Sequence, residues 1–294
     1  MKDFNSFDLV RLKKREEEII AKNNGISKIK IGKSILGEDI CAFKIGEGGR
    51  RLIYVGAHHA LEYLTAEALV DFLEFLAENA ARDVTYRKIN LKIFLKTFTV
   101  YIIPCLNPDG IKLHLFGASE NSPFYKRQMR MSDGDFSLWQ SNARGVDLNH
   151  NYDCKFEEYK RLELREGIAP GKTKYSGEYP ESEPESYALA NFVRIISPQL
   201  IISLHSQGEE IYYSPKNERM RIFTERIAKS VGYMAALPTG TAEYGGFCDY
   251  TGERLGIPSL TVELGLGKNP LPYSELRGIS ERARQILLFA PVFM

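Results

Sequence analysis

Six short strand-like runs alternate with helical patterns along these 294 residues, and no other feature limits the fold as tightly. The runs are Ile26 to Ile31, Ile40 to Ile45, Leu52 to Val55, Phe98 to Ile103, Leu200 to Leu204 and Ser259 to Val262. Helical periodicity fits Phe7 to Ala21, Leu61 to Ala80, Ser186 to Ile196, Glu218 to Val231 and Glu275 to Phe289. Asn23-Asn24-Gly25 stops the first helix and Gly232 the fourth, while Ser182-Glu183-Pro184-Glu185 reads as a capping box with proline in the first turn. No repeat or linker interrupts the alternation. One α/β domain is expected, with a central mixed, mostly parallel sheet flanked by helices and residues 1–25 forming a helical segment packed on the domain 26–294. The stretch from Lys112 to Gly177 reads as loop-rich, and its length marks it as functional surface.

Charge narrows the partners. Lysine and arginine number 39 against 38 acidic residues, so the summed field draws neither nucleic acid nor an acidic membrane face. No run approaches the roughly 18 apolar residues of a membrane span, and the first twenty residues lack a signal-type apolar stretch, which predicts a cytoplasmic protein. The cysteines Cys41, Cys105, Cys154 and Cys248 are scattered without CxxC pairing and are expected as reduced, mostly buried thiols.

Three of the strand-like runs lead into residues that carry chemistry. His59 and Glu62 follow Leu52 to Val55, His205 follows Leu200 to Leu204, and Glu263 follows Ser259 to Val262. In open α/β sheets the ligand crevice lies beyond the carboxyl ends of the strands, where such remote segments converge. His59-x-x-Glu62 sets an imidazole and a carboxylate three residues apart at the expected start of a helix, where i and i+3 share a face. A catalytic zinc usually takes three protein ligands and keeps one position open; His₂Glu is a known set, and His205 offers the distant third donor. His58 is a rival for His59, disfavoured by its spacing of four to Glu62. Glu263, between Val262 and Leu264, needs a partner for its carboxylate, and beside a zinc-activated water it would act as general base. The competing reading is a polar HxxE turn and a salt-bridged strand-end glutamate without chemistry.

Gly56-Ala57-His58-His59-Ala60-Leu61-Glu62, Gly145-Val146-Asp147-Leu148-Asn149-His150-Asn151, Ser203-Leu204-His205-Ser206-Gln207 and Thr261-Val262-Glu263-Leu264 follow one another in the order seen in the zinc carboxypeptidases. Asn107-Pro108-Asp109-Gly110 adds a fifth string, and the chain resembles that family from Ile26 onward. The resemblance implies a zinc-carboxypeptidase-like fold and one Zn²⁺ per chain on His59, Glu62 and His205. It makes Glu263 the general base and proton shuttle, and Asp147 the acceptor for the free N–H of His59.

Two departures bear on substrate. The family's Asn-Arg pair, whose arginine clamps the substrate's C-terminal carboxylate, is Asn149-His150 here. A histidine with a pKa of about 6.5 is mostly neutral at pH 7 and lacks arginine's bidentate fork, so Asn149 and His150 are expected to bind substrate without strict need for that carboxylate. Gln140 stands at the aligned place of the family's oxyanion-stabilising arginine, and Arg144 is the nearest cation, a candidate for the oxyanion or for a substrate carboxylate. Tyr244, before Gly245-Gly246, is the candidate for the family's mobile substrate-binding tyrosine, with Tyr250 second. The strings Trp139 to Arg144, Gly145 to Asp153 and Tyr175 to Glu185 resemble the γ-D-glutamyl-meso-diaminopimelate peptidase branch, which implies a soluble muropeptide as the peptide substrate. A true carboxypeptidase, a related N-acyl amino acid deacylase and a catalytically silent binding protein are the other readings.

Overall fold

The computed structural model describes residues 7–80, 82–213 and 218–294. The six expected strands are present as β1 (Ile26–Lys33), β2 (Asp39–Ile45), β3 (Arg50–Val55), β6 (Phe98–Ile103), β7 (Leu200–His205) and β10 (Ser259–Glu263). Between them lie a small hairpin of β4 (Thr85–Tyr86) and β5 (Ile89–Asn90), and two short strands that periodicity does not reveal, β8 (Glu210–Tyr213) and β9 (Met234–Ala236). Eight strands form one mixed sheet in the order β1-β2-β6-β3-β7-β10-β8-β9. Its centre, β6-β3-β7-β10, is parallel, as expected for apolar runs buried on both faces.

Alternation along the central strands builds two cores. Leu52 and Tyr54 of β3, with Leu200, Ile202 and Leu204 of β7, pack beneath the helices Leu9–Lys22, Leu64–Ala80, Glu218–Val231 and Leu276–Phe293. Ile53, Val55 and Ile201 point the other way, onto Leu148, Tyr152, Phe247 and the helix Pro184–Ile196. The first helix is capped by Asp8, whose carboxylate accepts the N–H groups of Val10 and Arg11, and it docks through Leu9, Leu12 and Ile19.

Three local expectations are corrected. The helix expected from Leu61 begins at Leu64, which leaves His59 and Glu62 in the preceding turn, closed by Glu62 N–H donating to the His59 carbonyl at 3.1 Å. Ser182 caps no helix: the helix begins at Pro184 without a side-chain cap, and the Ser182 hydroxyl is shared by Asn151 and Glu183 instead. The loop-rich stretch contains the helices Tyr125–Ser132 and Phe156–Glu166, whose largely polar sequences bury only a few residues each. All four cysteines are free, with Cys154 buried and the others half-buried.

Candidate metal centre

β3 and β7 are hydrogen-bonded neighbours, so their carboxyl ends deliver the metal-ligand candidates to one place. The chain leaves β3 through Gly56 and Ala57, which sits in the left-handed region at φ 50° with its N–H donated to Thr65 Oγ1 at 2.8 Å. That turn aims His59 back across the sheet end. His59 Nδ1 lies 2.9 Å from Glu62 Oε1, and His205 Nδ1 lies 3.1 Å from Glu62 Oε2 and 3.3 Å from His59 Nδ1. One donor atom from each of His59, Glu62 and His205 falls within 4.8 Å of the others, the one such cluster among the described residues.

The surroundings commit the remaining donors. His59 Nε2–H donates to Asp147 Oδ1 at 3.1 Å, and Asp147 also accepts from the N–H groups of Asn149 and Lys174 and faces the Thr173 hydroxyl. His205 Nε2 is 3.1 Å from Ser203 Oγ, which is 3.3 Å from His58 Nδ1, whose Nε2 in turn meets the Tyr152 hydroxyl at 3.1 Å. His58 thus has both ring nitrogens engaged, by Ser203 and Tyr152, while its ring stacks on that of His205 at 5.3 Å. Sequence reasoning missed the roles of Ser203, Thr173 and Asn269, which donates to Glu62 Oε1; Ser203 opens a quoted string, the other two lie outside all of them, and none has a signature of its own.

Electrostatics favour a dication here. Burial alone would strip charge from His59, but Glu62 and Asp147 outweigh it and raise its pKa well above the ordinary value. Burial likewise opposes charge on Glu62, yet His59 and His205 hold its pKa at about 2. The buried carboxylates of Glu62 and Asp147 thus draw positive charge to this cluster, and two imidazoles with one carboxylate suit Zn²⁺. Glu263 ends β10 directly opposite His205 in the parallel register. Burial first, and then the Glu62 carboxylate, push its carboxyl well above the usual range.

The other candidates divide. Gln140 lies against the metal turn: its carbonyl accepts the Ala60 N–H at 2.9 Å, and its Oε1 is 3.2 Å from Thr173 Oγ1. Arg144 is engaged elsewhere, with Nε on Glu183 at 2.9 Å and Nη2 on the Ser182 carbonyl at 3.0 Å. Asn149 accepts the Phe247 N–H through Oδ1 and lines a small cavity with Tyr212, Asp249 and Glu263. The His150 ring stacks on Tyr159 at 4.3 Å, and its Nδ1–H donates to the Tyr244 carbonyl at 2.8 Å. Burial lowers its pKa. The Tyr244 side chain lies 6.4 Å from Tyr159, centroid to centroid, whereas Tyr250 is buried against Tyr152 with its hydroxyl bonded to Arg194.

Residues 17–286 match the family model described as Zinc carboxypeptidase. The chain belongs to the zinc carboxypeptidase family. It is 31% identical over 264 residues to gamma-D-glutamyl-L-diamino acid endopeptidase 1 of Lysinibacillus sphaericus, covering 88% of this chain and 65% of that protein. It is 29% identical over 295 residues to the uncharacterized protein YqgT of Bacillus subtilis, covering 98% of this chain and 77% of that protein. The fold matches bovine thrombin-activatable fibrinolysis inhibitor, solved with a tick carboxypeptidase inhibitor, at TM-score 0.73 and 23% identity over 98% of this chain and 97% of that one. The chain thus spans just under two thirds of the first relative's length. Membership in a family of zinc-dependent peptidases implies one Zn²⁺, and His59, Glu62 and His205 are the described residues placed to hold it. No described helix of this zinc carboxypeptidase is long and apolar enough to cross a membrane.

Proposed function

We propose that this zinc carboxypeptidase hydrolyses the γ-D-glutamyl to meso-diaminopimelate amide of soluble cell-wall peptides. The observation that carries the reading is His150. With its ring stacked on Tyr159, its Nδ1–H spent on the Tyr244 carbonyl and its pKa lowered by burial, it is a poor clamp for a substrate's C-terminal carboxylate. The likeness to an endopeptidase named for γ-D-glutamyl-L-diamino acid bonds supports the same conclusion.

In this reading His59, Glu62 and His205 hold the zinc, and Asp147 and Ser203 fix the tautomers of the two imidazoles so that each presents Nδ1. Zinc, when bound, supplies Lewis acidity that polarises a carbonyl and lowers the pKa of water to about 7. Glu263 accepts the proton of the attacking water and returns it to the departing amine. Gln140 offers its side-chain N–H groups to the oxyanion, while Arg144, held by Glu183, stays out of that role. Asn149 and Tyr244 flank the substrate, the cavity beside Glu263 receiving the residue on the amine side of the cut.

Product masses from L-Ala-γ-D-Glu-meso-diaminopimelate, its C-terminally amidated form and an ordinary α-linked peptide test this directly. Cleavage at the γ-D-glutamyl bond is expected, with amidation changing kcat/KM by less than about tenfold, or ~1.4 kcal/mol. Efficient C-terminal trimming of the α-peptide, or loss of cleavage on amidation, would make the chain a true carboxypeptidase.

A further inference from the structure

The metal turn is braced from one side by a residue that the chemistry above does not use. Asn107 is fully buried, and its Nδ2 donates to the carbonyls of His58 at 3.1 Å and Ser141 at 3.2 Å. Its backbone N–H donates to the Ala57 carbonyl at 3.1 Å, on the residue held at positive φ. Its Oδ1 accepts the Gly110 N–H at 3.0 Å and caps the helix Pro108–Phe116. One amide thus joins the turn that carries His59 to the segment that carries Gln140 and leads to Asp147. Space is tight around this joint: a Cβ on Gly110 would lie 2.4 Å from the Ser141 carbonyl oxygen and 2.5 Å from Asn107 Oδ1.

We propose that Asn107 is a positioning residue, whose side-chain amide sets the metal turn and the Gln140 segment at the separation the zinc site requires. A left-handed alanine persists only where its surroundings over-determine it, and Asn107 with Thr65 supplies that constraint. Two buried carbonyls converge on the same Nδ2, so replacing that donor leaves both without it and lets the two segments part.

The proposal rests on the peptidase reading only for its turnover measurement. Asn107→Ser keeps an oxygen able to cap the helix but removes both amide donors. Gly110→Ala wedges the same joint and leaves Asn107 intact. Asn90→Ala, which deletes the cap of the separate helix Leu91–Thr97, controls for general destabilisation. Zinc affinity by chelator competition, the visible spectrum of the cobalt-substituted protein, and kcat and KM are measured on the full chain. Asn107→Ser is expected to weaken zinc binding about 10- to 100-fold, shift the cobalt bands, and lower kcat more than it changes KM. Gly110→Ala should move the same readouts, and Asn90→Ala only the melting temperature. Wild-type zinc affinity, cobalt spectrum and turnover in folded Asn107→Ser would overturn the proposal. If that variant does not fold, the cobalt spectrum of Gly110→Ala decides in its place, an unshifted spectrum overturning the proposal. Should the wild type cut no γ-D-glutamyl peptide, the peptidase specificity fails while the metal readouts still decide the role of Asn107.

Discussion

At the scale of single residues, the site combines donors that a sequence announces with supports that it does not. Glu263→Gln should bind zinc normally yet lose about 10²- to 10⁴-fold in kcat, because an amide cannot take the water proton. Zinc titration and steady-state rates on the same preparation check this, and near-normal turnover would place the base elsewhere. Asp147→Ala should weaken zinc binding about 10- to 100-fold by freeing the His59 ring, with Ser203→Ala acting in the same direction through His205. Unchanged chelator competition in both variants would show that the rings are held by packing alone. The convergence of His59, Glu62 and His205, and the place of Glu263 at the end of β10 beside it, were legible because residues at the carboxyl ends of neighbouring strands meet. Ser203 and Thr173 were not, since a hydroxyl carries no signature until the fold shows what it bonds: Ser203 meets His205 two residues on, and Thr173 meets Asp147 and Gln140. Arg144, a candidate as the cation nearest Gln140, has its guanidinium bonded to Glu183 and the Ser182 carbonyl, partners distant in sequence that no local pattern reveals.

At the scale of elements, the helix Leu9–Lys22 carries a titratable strain. Glu16 lies on its buried face, 7% exposed, and desolvation raises its pKa to about 7 despite Lys28 and Lys13 nearby. A carboxyl raised above its unfolded value favours the folded state at low pH, and that contribution is lost as pH climbs from about 4.5 through 7. Glu16→Gln should therefore match the wild type near pH 4.5 and exceed it at pH 8 by up to about 3 kcal/mol. Urea unfolding of chelator-treated protein at both pH values measures the difference, and equal stabilities at pH 8 would refute it. The central strands were readable as long apolar runs because both of their faces are covered, whereas β8 and β9, with four and three residues, are too short to show a period. The helices Tyr125–Ser132 and Phe156–Glu166 leave no periodic signature for a different reason: each buries too little apolar surface to raise a clear stripe.

At the scale of the whole molecule, the zinc ligands join the turn after β3 to the end of β7, so metal binding and global stability are linked. Zinc at a hundredfold excess over its dissociation constant should add about 2.7 kcal/mol, a rise in melting temperature on the order of 5 °C that a chelator reverses. A melting temperature indifferent to chelation would show that the described ligands do not bind the metal tightly in the folded chain. The order of the sheet has its own bearing on how the protein is made. β10 is the last of its strands in sequence, yet it lies between β7 and β8, which precede it. On the ribosome, β7 and β8 each keep an unpaired edge until β10 has emerged to lie between them. A nascent chain in this way lacks a closed sheet until β10 has been translated, and a product released before Ser259 would carry all three metal donors on a sheet with two open edges, exposed to chaperones and aggregation.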